Sequence, residues 1–147
     1  MFNHILLPID GSDLSDQALE KALERIKGGD IRLTVLYVKP NSESSIYGET
    51  ALLRSMDPAL LERVVEGHAK SVLDRVAGRA QAAGVAVELA TVVADEPYEG
   101  IIAAAAAHDC DLILMASHGY RGIKGMVLGS QTHKVLVNSR LPVLVYR

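Results

Sequence analysis

The residues best equipped for chemistry on an anion lie in one stretch, Ala116-Ser117-His118-Gly119-Tyr120-Arg121-Gly122-Ile123-Lys124-Gly125-Met126-Val127-Leu128-Gly129-Ser130. Glycines let a backbone approach phosphate oxygens closely and offer amide donors with no side chain in the way. Ser130 adds a hydroxyl at the start of a helical pattern, where free amides and the helix dipole favour negative charge. A strand, a glycine-rich loop and a helix start, in that order, are one reading of the stretch, as a phosphate site. An ordinary connection with glycines placed for turns accounts for the same residues. Spacing excludes several known loops. No Gly-Lys-Ser/Thr closes the stretch as in a P-loop, so Lys124 has no such role. No G-x-G-x-x-G follows a strand, and no G-x-S-x-G elbow is present.

Asp10 is the other residue placed for chemistry. It ends the apolar run that begins at His4 and precedes Gly11-Ser12. A carboxylate there can be a base, a ligand contact or a turn residue; without a partner base in sequence, a positioning role is favoured. Ser12, Asp13 and Ser15 resemble a nucleophile cluster, but helix capping explains them with less. His118 fits loop geometry and His133 an exposed helical position, and their separation does not match a two-histidine metal motif. His4, His68 and His108 read as ordinary surface or helix-end residues. Cys110 is the only cysteine, which excludes an internal disulfide framework and fits a reducing compartment. Its place before a strand suggests packing rather than reactivity.

Strands alternating with helices position these groups. His4 to Asp10 reads as a buried strand. Leu14, Ala18, Ala22 and Ile26 form a helical stripe closed by Gly28-Gly29. Ile31 to Val38 is a second strand, and Lys39 to Asp57 a long excursion with a serine cluster and weak periodicity. Pro58 opens a helix through Ala83, and Gly84 closes it. Val85 to Val93 is a third strand, with Val85, Val87 and Leu89 on one face. Pro97 opens a helix to His108, Asp111 to Ala116 is a fourth strand, a helix starts near Ser130, and Leu141 to Tyr146 is a fifth strand. This alternation predicts an α/β fold: one open five-stranded parallel sheet with helices on both faces, Rossmann-like in layout. If strands one and four are neighbours, the chain reverses its direction of sheet growth between them, and Asp10 lies beside the glycine loop.

With 147 residues, 49% of them apolar, one domain spanning residues 1–147 is expected, large enough to bury a core without staples. A net charge of −3 with no basic tract argues against a nucleic-acid surface. No apolar run reaches membrane-spanning length and the N-terminal residues lack a signal-peptide pattern, so a cytoplasmic, soluble chain is expected.

Several segments, in order and over essentially the whole chain, resemble the universal stress protein family. Ile5-Leu6-Leu7-Pro8-Ile9-Asp10-Gly11-Ser12 is similar to its first strand with an acidic end, Leu36-Tyr37-Val38 to the end of its second, and Pro142-Val143-Leu144-Val145 to its last. The loop of its ATP-binding members runs Gly, two residues, Gly, nine residues, Gly, then Ser or Thr. Gly119, Gly129 and Ser130 satisfy that pattern; Ala116 stands at the first glycine. The resemblance implies a fold like the adenine-nucleotide alpha hydrolases, with ATP, ADP or AMP as ligand. Asp10 would lie near the ribose or adenosine end, with Pro8 and Ile9 also in the nucleotide site, Val38 would offer backbone groups to adenine, and Met115 and Ala116 would line the pocket. Gly119, Gly129 and Ser130 would hold the phosphates, followed by Gln131 and Thr132, with Mg2+ or Mn2+ bridged through the phosphates. Ala116, restricting the backbone near the ligand, would weaken or shift binding. Arg121 and Lys124 would reach phosphates or remain solvated. Tyr47, with the Ser42 to Thr50 segment, would cover the nucleotide or the sheet. The resemblance also implies a homodimer through Leu141 to Tyr146, acting as a stress-response regulator on a further protein partner. A slow ATPase or phosphotransferase and a nucleotide-free scaffold are the alternatives; no general base or strong nucleophile is evident beside the phosphates.

Overall fold

The computed structural model describes residues 1–41, 57–119 and 128–147. Their elements are β1 (His4–Ile9), α1 (Asp13–Ile26), β2 (Arg32–Pro40), α2 (Pro58–Ala83), β3 (Glu88–Ala94), α3 (Pro97–Ala107), β4 (Leu112–Ala116), α4 (Ser130–Asn138) and β5 (Val143–Tyr146). The strands form one sheet of order β3-β2-β1-β4-β5, and every neighbouring pair is parallel. This is the expected α/β Rossmann-like architecture. The chain grows from β1 through β2 to β3, then crosses to the other side of β1 for β4 and β5. The reversal falls between β1 and β4, as anticipated.

Two apolar layers fill the faces. Ile5, Leu7 and Ile9 of β1 with Leu33, Val35 and Tyr37 of β2 pack beneath α1 and α2. The alternate residues Leu6, Leu36, Ile113 and Met115 pack beneath Ile101, Ala104 and Ala105 of α3 and Val135 of α4. Strand alternation thus supplies two cores from one central strand.

Local chemistry sets the helix boundaries. Ser12 caps α1 by accepting from the Ser15 amide at 3.3 Å, and Gly28 leaves the helix at φ 75°, a conformation that glycine adopts without steric cost. The capping role read for Ser12 is therefore observed. Asp57 caps α2 ahead of Pro58, and Gly84 ends it in the left-handed region. With 26 residues, α2 is about 39 Å long, well beyond the roughly 23 Å of a seven-residue strand. Its overhanging first turns leave Leu60 and Val64 exposed, while Ala69, Val72, Val76 and Ala80 are buried.

Two expectations need correction. The third strand begins at Glu88 rather than Val85, because pairing with β2 starts at Thr34↔Glu88. Val85 and Val87 pack on the α1/α2 core before the strand forms, whereas Leu89 lies exposed on this edge strand where the helical cover ends. His4 is not a surface residue. It is only 2% exposed, since β1 is central and covered on both faces, and its Nε2 lies 2.7 Å from Thr34 Oγ1. No helix among the described residues is long and apolar enough to cross a membrane.

Candidate functional site

The carboxyl ends of β1 and β4 meet at Asp10 and Gly119. Asp10 Oδ1 accepts the Ser12 amide at 2.9 Å, a local turn that fixes the carboxylate just past β1. The Gly119 backbone lies so close to this carboxylate that a side chain there would collide with Asp10 Oδ2. A side chain at this position therefore displaces the Asp10 carboxylate, and no positive φ is involved.

Gly129 is crowded in a second way. Its amide donates to Ser117 O at 2.5 Å, pinching the base of the segment between them. A Cβ on Gly129 would sit 3.0 Å from that oxygen and 3.2 Å from His118 Cα. The pinch delivers the chain directly into α4. Ser117 is itself held by its amide bond to Tyr146 O at 2.7 Å and a side-chain contact to His118 Nδ1 at 3.1 Å. Asp10, Gly119, His118, Gly129 and the start of α4 therefore form one continuous surface.

The start of α4 is open. Gly129 occupies the capping position with no side chain to cap, and His133 is the first residue whose amide reaches back, to Gly129 O at 3.0 Å. The amides of Ser130, Gln131 and Thr132 have no acceptor among the described residues, and Ser130 is exposed. Free amides at a helix start, aided by the dipole, suit an anion.

The remaining predicted residues are distributed around this surface. Pro8 and Ile9 are the last residues of β1, and Ile9 is buried in the α1/α2 core. Val38 lies one residue past the last β1 partner of β2, which is Tyr37, with its side chain against α3. Met115 is buried in the α3/α4 core. Ala116 ends β4 in extended backbone, outside the positive-φ region. Its carbonyl accepts the Thr132 hydroxyl at 2.9 Å, so that buried hydroxyl fastens α4 to β4. The Gln131 side chain turns toward α3, accepting the Tyr98 amide at 3.0 Å and donating to Glu96 at 3.3 Å. Tyr47, Arg121, Lys124 and the Ser42 to Thr50 segment lie outside the described residues.

Sequence reasoning missed Glu96 and Lys134, whose 2.7 Å ion pair joins α3 to α4. Lys134, followed by Gln131, holds the Glu96 carboxyl below its ordinary range. Nothing in the local sequence marks that pair, because 38 residues separate its members. Cys110 behaves as expected of a packing residue: it is buried, and burial followed by the nearby Glu88 charge pushes its thiol up to about 11.

The universal stress protein family profile matches residues 1–147. The chain is 32% identical over 150 residues to universal stress protein YxiE of Bacillus subtilis, covering all of both chains. It is 30% identical to universal stress protein MJ0577 of Methanocaldococcus jannaschii, covering all of this chain and 96% of that one. The solved MJ0577 structure superposes with a TM-score of 0.80 over 99% of this chain and 95% of the other. A universal stress protein from Archaeoglobus fulgidus solved with dAMP shares the fold at a TM-score of 0.66 and 17% identity, over 100% of this chain and 98% of the other. The profile match over the whole chain and the full-length similarity in sequence and fold agree: this chain belongs to the universal stress protein family.

Proposed function

We propose that this chain, as one cytoplasmic domain, binds ATP or a related adenine nucleotide and uses occupancy to regulate a protein partner. The observation that carries the reading is the open start of α4 beside the Asp10–Gly119 contact. Phosphates would take the amides of Ser130, Gln131 and Thr132 and the Ser130 hydroxyl. Asp10, at the end of β1 against Gly119, suits a ribose hydroxyl. Val38, one residue beyond the last β1 partner, would offer its backbone groups to the base. A protein of the same fold has been solved with dAMP, which supports an adenine nucleotide as the ligand class. Magnesium or manganese would be bridged through the phosphates, since no group of three or more His, Cys, Asp or Glu among the described residues could hold a metal.

The edge strand β5 supports a homodimer. Leu144 is 55% exposed on β5, and Leu136 and Val137 are exposed on the neighbouring α4. An edge with open backbone groups and adjacent apolar side chains favours pairing with a second copy. Light scattering at micromolar concentration should give twice the chain mass; a monomer overturns the dimer.

Denaturing the protein purified from cells and identifying the released nucleotide by mass spectrometry tests the reading, together with calorimetry against ATP, ADP and AMP with and without magnesium. Released ATP, or binding heat at submillimolar ligand, is expected. ADP or AMP with measured turnover would indicate an enzyme. No released nucleotide and no heat at millimolar ligand would overturn the reading.

A further inference from the structure

Two helices, α3 and α4, start at the carboxyl end of the sheet on the same face, and their first turns are treated differently. Glu96 precedes α3 and makes no capping bond with its side chain. Pro97 has no N–H, and the amides of Glu99 and Gly100 reach back to Glu96 O. The remaining donor, the Tyr98 amide, goes to Gln131 Oε1 on α4 at 3.0 Å. Gln131 therefore caps α3 from another helix. Its Nε2 also donates to Glu96 Oε2 at 3.3 Å, and Lys134 Nζ donates to the same oxygen at 2.7 Å while lying 5.5 Å from the Tyr98 ring centroid.

The two helices also differ in their grip on the sheet. Buried Gly100 lets α3 press onto β2 and β3; a Cβ there would meet Ala94 and Val92 at 3.0 Å and Val38 at 3.2 Å. By contrast α4 has nine residues and buries only Thr132 and Val135. So short a helix is marginal on its own and takes its orientation from its tertiary ties. Those ties are the Thr132 hydroxyl to β4 and the Gln131 and Lys134 side chains to α3.

We propose that Glu96, Gln131 and Lys134 are positioning residues that hold the first turn of α4 so that its free amides converge on the ligand phosphates. The role rests on the nucleotide reading above. The Gln131 side chain, bonded at both ends to the start of α3, offers the ligand its backbone amide only. Lys134 is paired with Glu96, so the clamp adds no net charge and acts through orientation. Its effect should scale with the number of phosphates on α4 and leave the salt dependence of binding unchanged.

The test uses Gln131→Ala and Lys134→Met in the full chain, with two independent readouts. In the ligand-free protein, Gln131→Ala should speed exchange of the Tyr98 amide hydrogen at least about tenfold. An unchanged rate would overturn the clamp whatever the chain binds. In calorimetry, both variants should weaken ATP about 5- to 20-fold and adenosine less than about twofold, and Gln131→Ala, which changes no charge, should keep the same salt slope. Equal losses for ATP and adenosine, or no loss for either, would overturn the positioning role. If the unaltered protein binds neither, the nucleotide reading and this role fall together, while Tyr98 exchange still decides whether the clamp exists.

Discussion

The two ends of the sheet are built on opposite principles. At the amino end, polar groups are paired with one another, save His4 Nδ1, which is buried without a hydrogen-bond partner among the described residues. Asp111 accepts the amides of Asn3 at 2.8 Å and His4 at 2.9 Å. Thr34 Oγ1 donates to Glu88 at 3.1 Å and lies 2.7 Å from His4 Nε2, and Glu88 also meets His108 Nδ1 at 2.8 Å. Because the single Thr34 hydroxyl proton goes to Glu88, His4 Nε2 must be the donor in their contact. At the carboxyl end, glycines stand where side chains would collide, and the first backbone amides of α4 have no acceptor among the described residues. A closed network fixes strands in register; an open one leaves donors for something else. The contrast locates function better than any single residue, since one fold places both ends on the same strands.

The largest expected effect breaks the open end alone. Gly119→Val drives a branched side chain into the Asp10 carboxylate and should lower ATP affinity at least about 100-fold, equivalent to about 2.7 kcal/mol. The thermal midpoint should stay within about two degrees, because Gly119 belongs to no helix or strand. Calorimetry beside a thermal melt checks both. Equal affinity would show that this loop does not contact the ligand.

The closed end should answer the other way. Thr34→Val keeps the shape but leaves the His4 donor and a Glu88 oxygen without their shared partner, and should cost about 1–3 kcal/mol of stability, read by urea unfolding. Nucleotide affinity should not change. A parallel fall in affinity would mean that the two ends are coupled through β1 and β2.

How legible this division was in the sequence follows from how local each signal is. Alternating strand and helix patterns, Gly28 and Gly84 after helices, and Ser12 ahead of α1 are local, and the structure shows them. Asp10 and the glycine loop were legible as neighbours because a topological rule connects strand ends across the chain. His4 was misread because its type is polar, while its burial comes from the central place of β1 and its polar partner Thr34 lies 30 residues away in sequence. Glu96 and Lys134 were invisible for the same reason. Gln131 was expected in the turn after the phosphate residues, and only the position of α3 reveals its side-chain bond to the Tyr98 amide.

Acid sharpens the closed end further. The backbone amides of His4, then Asn3, hold the Asp111 carboxyl below its ordinary value of 3.8. A depressed folded-state value means that the carboxylate contributes stability above the ordinary carboxylate range and loses it as pH falls through the lowered value. Asp111→Ala should therefore be less stable than the unaltered chain by a constant margin from pH 7 down to about pH 5. The margin should shrink below about pH 4, measured by urea unfolding as a function of pH. A margin independent of pH down to pH 2 would assign the loss to packing instead.

The smallest effect belongs to Ala116, which stands where the resemblance leads one to expect the first loop glycine. Restricted backbone freedom was the expected reason for weaker binding. In the structure, however, Ala116 closes β4 in extended geometry, pairs with Tyr146 and has no positive φ, so a methyl adds no backbone strain there. Alternation along β4 puts the methyl on the side of Leu114 and the α1/α2 core, opposite Met115 and the α4 side. The carbonyl that accepts the Thr132 hydroxyl is present with either residue. Ala116→Gly should consequently change ATP affinity less than about threefold while lowering stability by roughly 0.5–1 kcal/mol, the entropic cost of glycine in a strand. A tenfold gain in affinity would show that the methyl itself meets the ligand, extending the open end of the sheet one residue into β4.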